Sequence, residues 1–136
     1  MDTVRLWAET EDGWRLGLEG MRVIQLRVSY QLELVLDGDA EVTIEAKAVL
    51  RRGDPASSKA QAVNLDPEQQ VVAPALAVFG ATVTSSAVLR TGVLDLAFDN
   101  GLSLAVNPDA QFEAWQVRKS AGLLVCTPGG DIAIWS

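Results

Sequence analysis

Residues 32–45 (LELVLDGDAEVTIE) and 94–107 (LDLAFDNGLSLAVN) align with each other without a gap. Each reads as an alternating apolar strand, an Asp-containing turn and a second alternating strand. Alternation with a period of two marks a half-buried strand. A slip of one residue would send the whole apolar set to the wrong face, so the pattern also fixes the loop length. In the first copy a two-residue loop would place Leu34 opposite Glu41 and bury a carboxylate. A three-residue loop, Asp37-Gly38-Asp39, sets Leu36 opposite Ala40, Leu34 opposite Val42 and Leu32 opposite Ile44. The second copy gives the same answer. The loop Asp99-Asn100-Gly101 sets Phe98 opposite Leu102, Leu96 opposite Leu104 and Leu94 opposite Val106. Gly101 falls where a type I turn with a following bulge needs a left-handed residue. Asp39 holds that place in the first copy and tolerates the conformation less well.

The outward faces of the two hairpins differ. The first carries Glu33, Glu41, Thr43 and Glu45, and the second carries Asp95, Ala97, Ser103 and Ala105. Small residues suggest close packing, so a helix or a partner subunit is expected over the second hairpin.

Around these hairpins the chain is read in order. Val4, Leu6 and Ala8 alternate weakly, and Trp14–Leu18 alternates up to a turn at Glu19-Gly20. Gly20 and Gly80 stand at similar distances before their hairpins, so the repeat extends to a preceding strand. The return strand of the first hairpin is expected to run to about Val49. Residues 51–64 are polar, carry Gly53 and Pro55, and read as a surface loop. Their Arg52-Gly53-Asp54 tripeptide matches integrin ligands, but chance in a loop explains it better. Asp66-Pro67-Glu68 is a strong helix start: an N-cap, a proline in the first turn and an acid at the positive helix end. One principal helix is therefore predicted over 66–79, kinked at Pro74 and stopped by Gly80. Its Val71, Val72, Ala75, Leu76 and Phe79 would face the sheet. Strands follow over 82–88 and 113–118, with Trp115 and Val117 on one face. A last hairpin, 123–127 with 132–135, is apolar on both faces, which marks a central strand or an interface.

The residues present narrow the chemistry. The chain has no histidine and a single cysteine, Cys126. That removes Ser-His-Asp and Cys-His catalysis as usually built, and with it a structural zinc site. There is no Walker loop, GxGxxG or EF-hand spacing. Glu33, Glu41 and Glu45 share a sheet face and could supply the two carboxylates of a glycosidase, but a solvated face is the plainer reading. Tyr30 reads as a core or rim aromatic, Cys126 as a buried inert thiol, and the four tryptophans as core or interface. No catalytic, cofactor-binding or metal-binding residue is assigned. The net charge of −7 argues against nucleic acid and suits a basic partner. No apolar run reaches the roughly 18 residues that cross a bilayer, and no leader opens the chain. With one cysteine, a cytoplasmic location is expected.

The runs 113–117 (EAWQV), 124–130 (LVCTPGG) and 133–135 (AIW), with residues 65–80 and the strand ending at Asp99-Asn100-Gly101, resemble a group of small uncharacterised bacterial proteins, mainly actinobacterial. The resemblance covers the chain from Trp14 onward and brings no functional residue with it. The expectation is a single α+β domain over 1–136: mainly antiparallel β in two similar hairpin halves, with the 66–79 helix packed on the sheet. The favoured function is a non-enzymatic interaction module, acting as a homodimer or against a protein partner, by analogy with antitoxins and immunity proteins. The alternative is a small-molecule binder or carboxylate enzyme with a pocket between the two β-halves.

Overall fold

The computed structural model describes residues 7–53, 60–120 and 122–135. Among the described residues, thirteen strands form two antiparallel sheets. They are β1 (Ala8–Thr10), β2 (Gly13–Arg15), β3 (Val23–Val28), β4 (Leu32–Leu36), β5 (Ala40–Ile44), β6 (Ala48–Arg52) and β7 (Gln61–Leu65). The remainder are β8 (Val83–Leu89), β9 (Leu94–Phe98), β10 (Leu102–Val106), β11 (Trp115–Lys119), β12 (Gly122–Cys126) and β13 (Ile132–Trp135). One sheet runs β1-β2-β8-β9-β10-β6-β7, and the other runs β13-β12-β11-β5-β4-β3.

The repeated hairpins pair as their apolar residues require. Leu34 faces Val42 and Leu32 faces Ile44 in β4–β5. Leu96 faces Leu104 and Leu94 faces Val106 in β9–β10. Gly101 has φ 86° and Asp39 has φ 57°, so both turns use a left-handed residue at the same place.

The repeat is larger than the hairpins. β3 and β8 both carry a bulge after their first residue, between Val23 and Gln25 and between Val83 and Ser85. The two copies meet at an antiparallel bridge between Arg22 and Thr82. Hydrogen bonds around it come in matched pairs. Val23 N–H donates to Ala81 O at 2.9 Å, and Val83 N–H donates to Met21 O at 2.8 Å. Gly20 donates to Val83 O and Gly80 to Val23 O, each at 2.9 Å. Asp37 Oδ1 accepts from Arg22 N–H and Asp99 Oδ1 from Thr82 N–H, each at 3.0 Å. These pairs describe a pseudo-two-fold axis through the molecule.

The two strands after each hairpin change sheets. β6 leaves the first hairpin and pairs with β10, while β11 leaves the second and pairs with β5. The same registers recur: Leu104 faces Leu50, as Val42 faces Val117. The repeated part of each sheet is thus three strands of one copy and two of the other, with β1 and β2 added to one sheet and β13 to the other. The shared core lies between them, with Trp115, Leu34, Leu96, Leu104 and Leu124 at 2% exposure or less. The Trp115 indole N–H donates to Gly92 O at 2.9 Å, so its polar end is satisfied in the interior.

Several expectations are corrected. The fold is mainly antiparallel β without a principal helix, not α+β. Residues 66–79 form two short 3-10 segments, Pro67–Gln69 and Ala73–Val78, and Asp66 makes no side-chain cap bond. Val72, Ala75 and Val78 are buried, whereas Val71, Leu76 and Phe79 are exposed. A buried set spaced by three residues is what a 3-10 turn presents, and a 3.6-residue period would have buried Leu76 and Phe79 together with Val72 and Ala75. Pro74 cannot donate to an α-helical ladder, which favours short turns here. No helix covers the second hairpin among the described residues, and Ala97 and Ala105 are half-buried. The expected 51–64 loop begins and ends as strand, in β6 and β7; the part from 54 to 59, which includes Asp54, lies outside the described residues, as do Val4 and Leu6. The return strand stops at Ile44, and Ala48–Arg52 is a separate strand in the other sheet. The last hairpin has its inner strand buried at Leu124, Val125 and Cys126, while Ile134 and Trp135 on β13 are exposed at the sheet edge.

Candidate functional site

Changing sheets forces the chain to cross the open end of the sandwich twice, at residues 45–47 and 107–114. Ala114 ties the crossings together: its carbonyl accepts from Glu45 N–H at 2.9 Å and Ala46 N–H at 3.0 Å. Between them lies a cleft of about 520 Å³. Among the described residues, Glu45, Asp66, Glu68, Asp109 and Glu113 line it with a single cation, Lys47, and Tyr30 and Phe112 stand at its walls. Tyr30 is 75% exposed and Phe112 66%. A second cleft of about 420 Å³ shares Lys47, Asp66 and Asn107 and continues along β6 and β7 to Val71. The two clefts adjoin through these shared residues.

Local structure holds these side chains in place. Asp109 Oδ1 accepts from Gln111 N–H at 2.8 Å and Phe112 N–H at 3.1 Å, a short Asx turn that sets Phe112. The Asp66 and Val71 backbones exchange two hydrogen bonds of 2.9 Å, closing the loop that carries Glu68. Burial raises the Glu45 pKa above the ordinary carboxylate value, and the nearby Glu113 charge raises it further. Such a site favours an incoming cation. No three of the described His, Cys, Asp and Glu side chains are grouped to hold a metal ion.

The three glutamates expected on one sheet face are separated. Glu33 and Glu41 remain on the outer face of β4 and β5, in ion pairs. Arg27 lies 3.5 Å from Glu33 and 3.4 Å from Glu41, and Arg118 lies 3.5 Å from Glu41. Glu45 alone reaches the cleft, because β5 ends at Ile44 and the chain turns inward there. Tyr30 is a rim aromatic of the same cleft. Cys126 is fully buried, and burial pushes its thiol pKa up, as suits an inert side chain. Trp115 fills the core, Trp14 stacks under Arg90 at 5.0 Å, and no tryptophan lines either cleft. Asp66, Glu68, Asp109, Phe112 and Glu113 were not foreseen as site residues. They sit in connections that only the strand exchange brings together, and the available signal was Asp109, Phe112 and Glu113 close together in one connection.

No described helix is long and apolar enough to cross a membrane. No curated protein and no solved structure matches the chain. A family model does match it, over residues 14–136, and the chain belongs to that family, DUF6188, a family of unknown function.

Proposed function

We propose that the chain is a non-enzymatic, cytoplasmic interaction module that receives a basic, extended segment of a partner protein in the cleft between its two crossings. The observation that carries this is the lining: among the described residues, five carboxylates against one lysine, with exposed aromatic walls. Carboxylates attract Lys and Arg, and aromatic faces stack on their cationic heads. The second cleft, which adjoins the first, gives an extended segment room to continue, and the net charge of −7 steers a basic partner inward. Neutralisation of a basic protein, as antitoxins and immunity proteins do, is one form of this activity.

Calorimetric titration with an extended Lys/Arg-rich peptide tests it. Binding is expected to weaken at least about tenfold in the Glu113→Gln, Glu68→Gln double variant, to weaken with salt, and to be absent for a Glu-rich peptide. Binding should strengthen as pH rises past the raised Glu45 value, because the carboxylate then carries its charge. Stability moves the opposite way. The folded carboxyl holds its proton to a higher pH than the unfolded one, so stability is lost as pH rises through that window. Equal affinity for basic and acidic peptides, or none for either, would end the proposal.

The raised Glu45 beside Glu113 supports a second reading, a glycosidase-like acid and base pair. Hydrolysis of chromogenic glycosides that is lost in both Glu45→Gln and Glu113→Gln would favour it. No turnover on any of them would remove it.

A further inference from the structure

The pseudo-two-fold axis relates the outer edges of β3 and β8, and those edges are finished differently. Residue for residue, Leu26 and Val28 in β3 match Ser86 and Val88 in β8, since they face Leu34 and Leu32 where the others face Leu96 and Leu94. On β8 the outer edge is covered by β2: Trp14 pairs with Val88, and Leu16 N–H donates to Ser86 O at 3.1 Å. On β3 the matching segment, Ala73–Val78, turns into a 3-10 helix instead of a strand. Beyond Val23, no described strand pairs with β3 on that side. The consequence is large: Val88 is 1% exposed and Val28 is 54% exposed. Ile24, Tyr30 and Phe79, beside the same edge, are also exposed.

We infer that the outer edge of β3 pairs with β3 of a second copy of this chain, antiparallel and across a two-fold axis, so that each copy supplies the strand the other lacks. The argument for a second copy is self-complementarity. The Ser86 carbonyl points away from β9, so the matching Leu26 carbonyl and its N–H point away from β4. An axis at Leu26 sets Leu26 opposite Leu26 of the second copy. Arg27 then lies opposite Gln25, and Val28 faces the bulge that holds Ile24. Leu26 and Val28 fall on the core face, Ile24 stands outside the regular alternation, and no like charges are opposed. The next register of the same parity would oppose Arg27 to Arg27 and is disfavoured. The edge strand itself carries no acid, so the acidity of the chain does not oppose this contact. An exposed apolar edge of this kind is what pairing removes.

This inference deepens the reading of the chain as an interaction module and does not depend on the acidic cleft. Sedimentation or light scattering of the full chain should show a concentration-dependent dimer. Val28→Lys, at an exposed position, should raise its dissociation constant at least about tenfold while the circular dichroism spectrum is kept. Hydrogen exchange of the wild type gives a measurement free of any variant: the Leu26 and Val28 amides should slow with increasing concentration, and the Gln25 amide should not. A wild type that is monomeric at every concentration overturns the inference. So does a dimer that Val28→Lys leaves intact, or one whose Leu26 and Val28 amides do not respond. Binding of the basic peptide by monomeric Val28→Lys shows that the cleft reading stands alone. Loss of peptide binding in a variant that still dimerises through β3 leaves this inference untouched.

Discussion

The two hairpins share a backbone and differ in almost every outward residue. On the inner face Leu32, Leu34 and Ile44 match Leu94, Leu96 and Val106, and all are at 1% exposure or less. On the outer face the first hairpin carries Glu33 and Glu41, held by Arg27 and Arg118, while the second carries Ala97 and Ala105. The difference separates what specifies a strand pair from what decorates it. Register follows from the buried set, because burying an aliphatic side chain is worth about 1.5–3 kcal/mol. Exposed ion pairs are worth about 0–1 kcal/mol each. The outer faces were therefore free to diverge while the inner faces were held.

The largest effects should fall on the inner face, and equally on both copies. Leu34→Ala and Leu96→Ala should each destabilise the protein by about 2–5 kcal/mol, read from urea unfolding. Both leave cavities in the same shared core at symmetry-related places. A loss of under about 1 kcal/mol at one site alone would break the equivalence of the halves.

A smaller effect tests the corner where the copies meet. Asp37 and Asp99 each accept a backbone N–H from the residue that forms the bridge, Arg22 and Thr82. Alanine at either position leaves that donor without its carboxylate and should cost about 1.5 kcal/mol. Asp95→Ala, on the exposed outer face, serves as the control and should change stability by less than about 0.5 kcal/mol. Equal losses at all three positions would mean that the matched bonds contribute nothing specific.

These contrasts also explain what was legible in the chain beforehand. The hairpins could be read because Leu34 and Leu96 sit in strict alternation and a slip would bury Glu41. The five-strand repeat could not, since β6 and β11 pair only with strands of the other copy, and local alternation carries no record of a partner. The helix over 66–79 was misjudged because Asp66-Pro67-Glu68 fits the start of a 3-10 turn as well as that of an α-helix. Pro74, at the second position of the next turn, was the residue that should have weighed more. The acidic cleft was legible only as scattered acids. Its members come from four connections, and tertiary structure alone gathers them.

The two turns give the smallest and most discriminating test. Gly101 and Asp39 occupy the same left-handed place, with φ 86° and 57°. For Gly101→Ala, a Cβ would meet no neighbour within 4 Å, so the cost is purely conformational. A left-handed L-residue costs about 1–2 kcal/mol, reduced by the lower entropy of the unfolded chain, which leaves a loss of about 1 kcal/mol. For Asp39→Gly the same two effects run in reverse. Relief of the left-handed backbone is offset by the entropy of glycine, about 0.5–1 kcal/mol, and by the exposed ion pair to Arg118 at 3.5 Å. The expected net change is within about 0.5 kcal/mol of zero. Asp39→Ala removes the side-chain tolerance of Asp without supplying that of glycine, so it should fall below both Asp39→Gly and the wild type. If Asp39→Ala proved as stable as Asp39→Gly, the left-handed demand at this turn would be wrong, and with it the equivalence of the two loops.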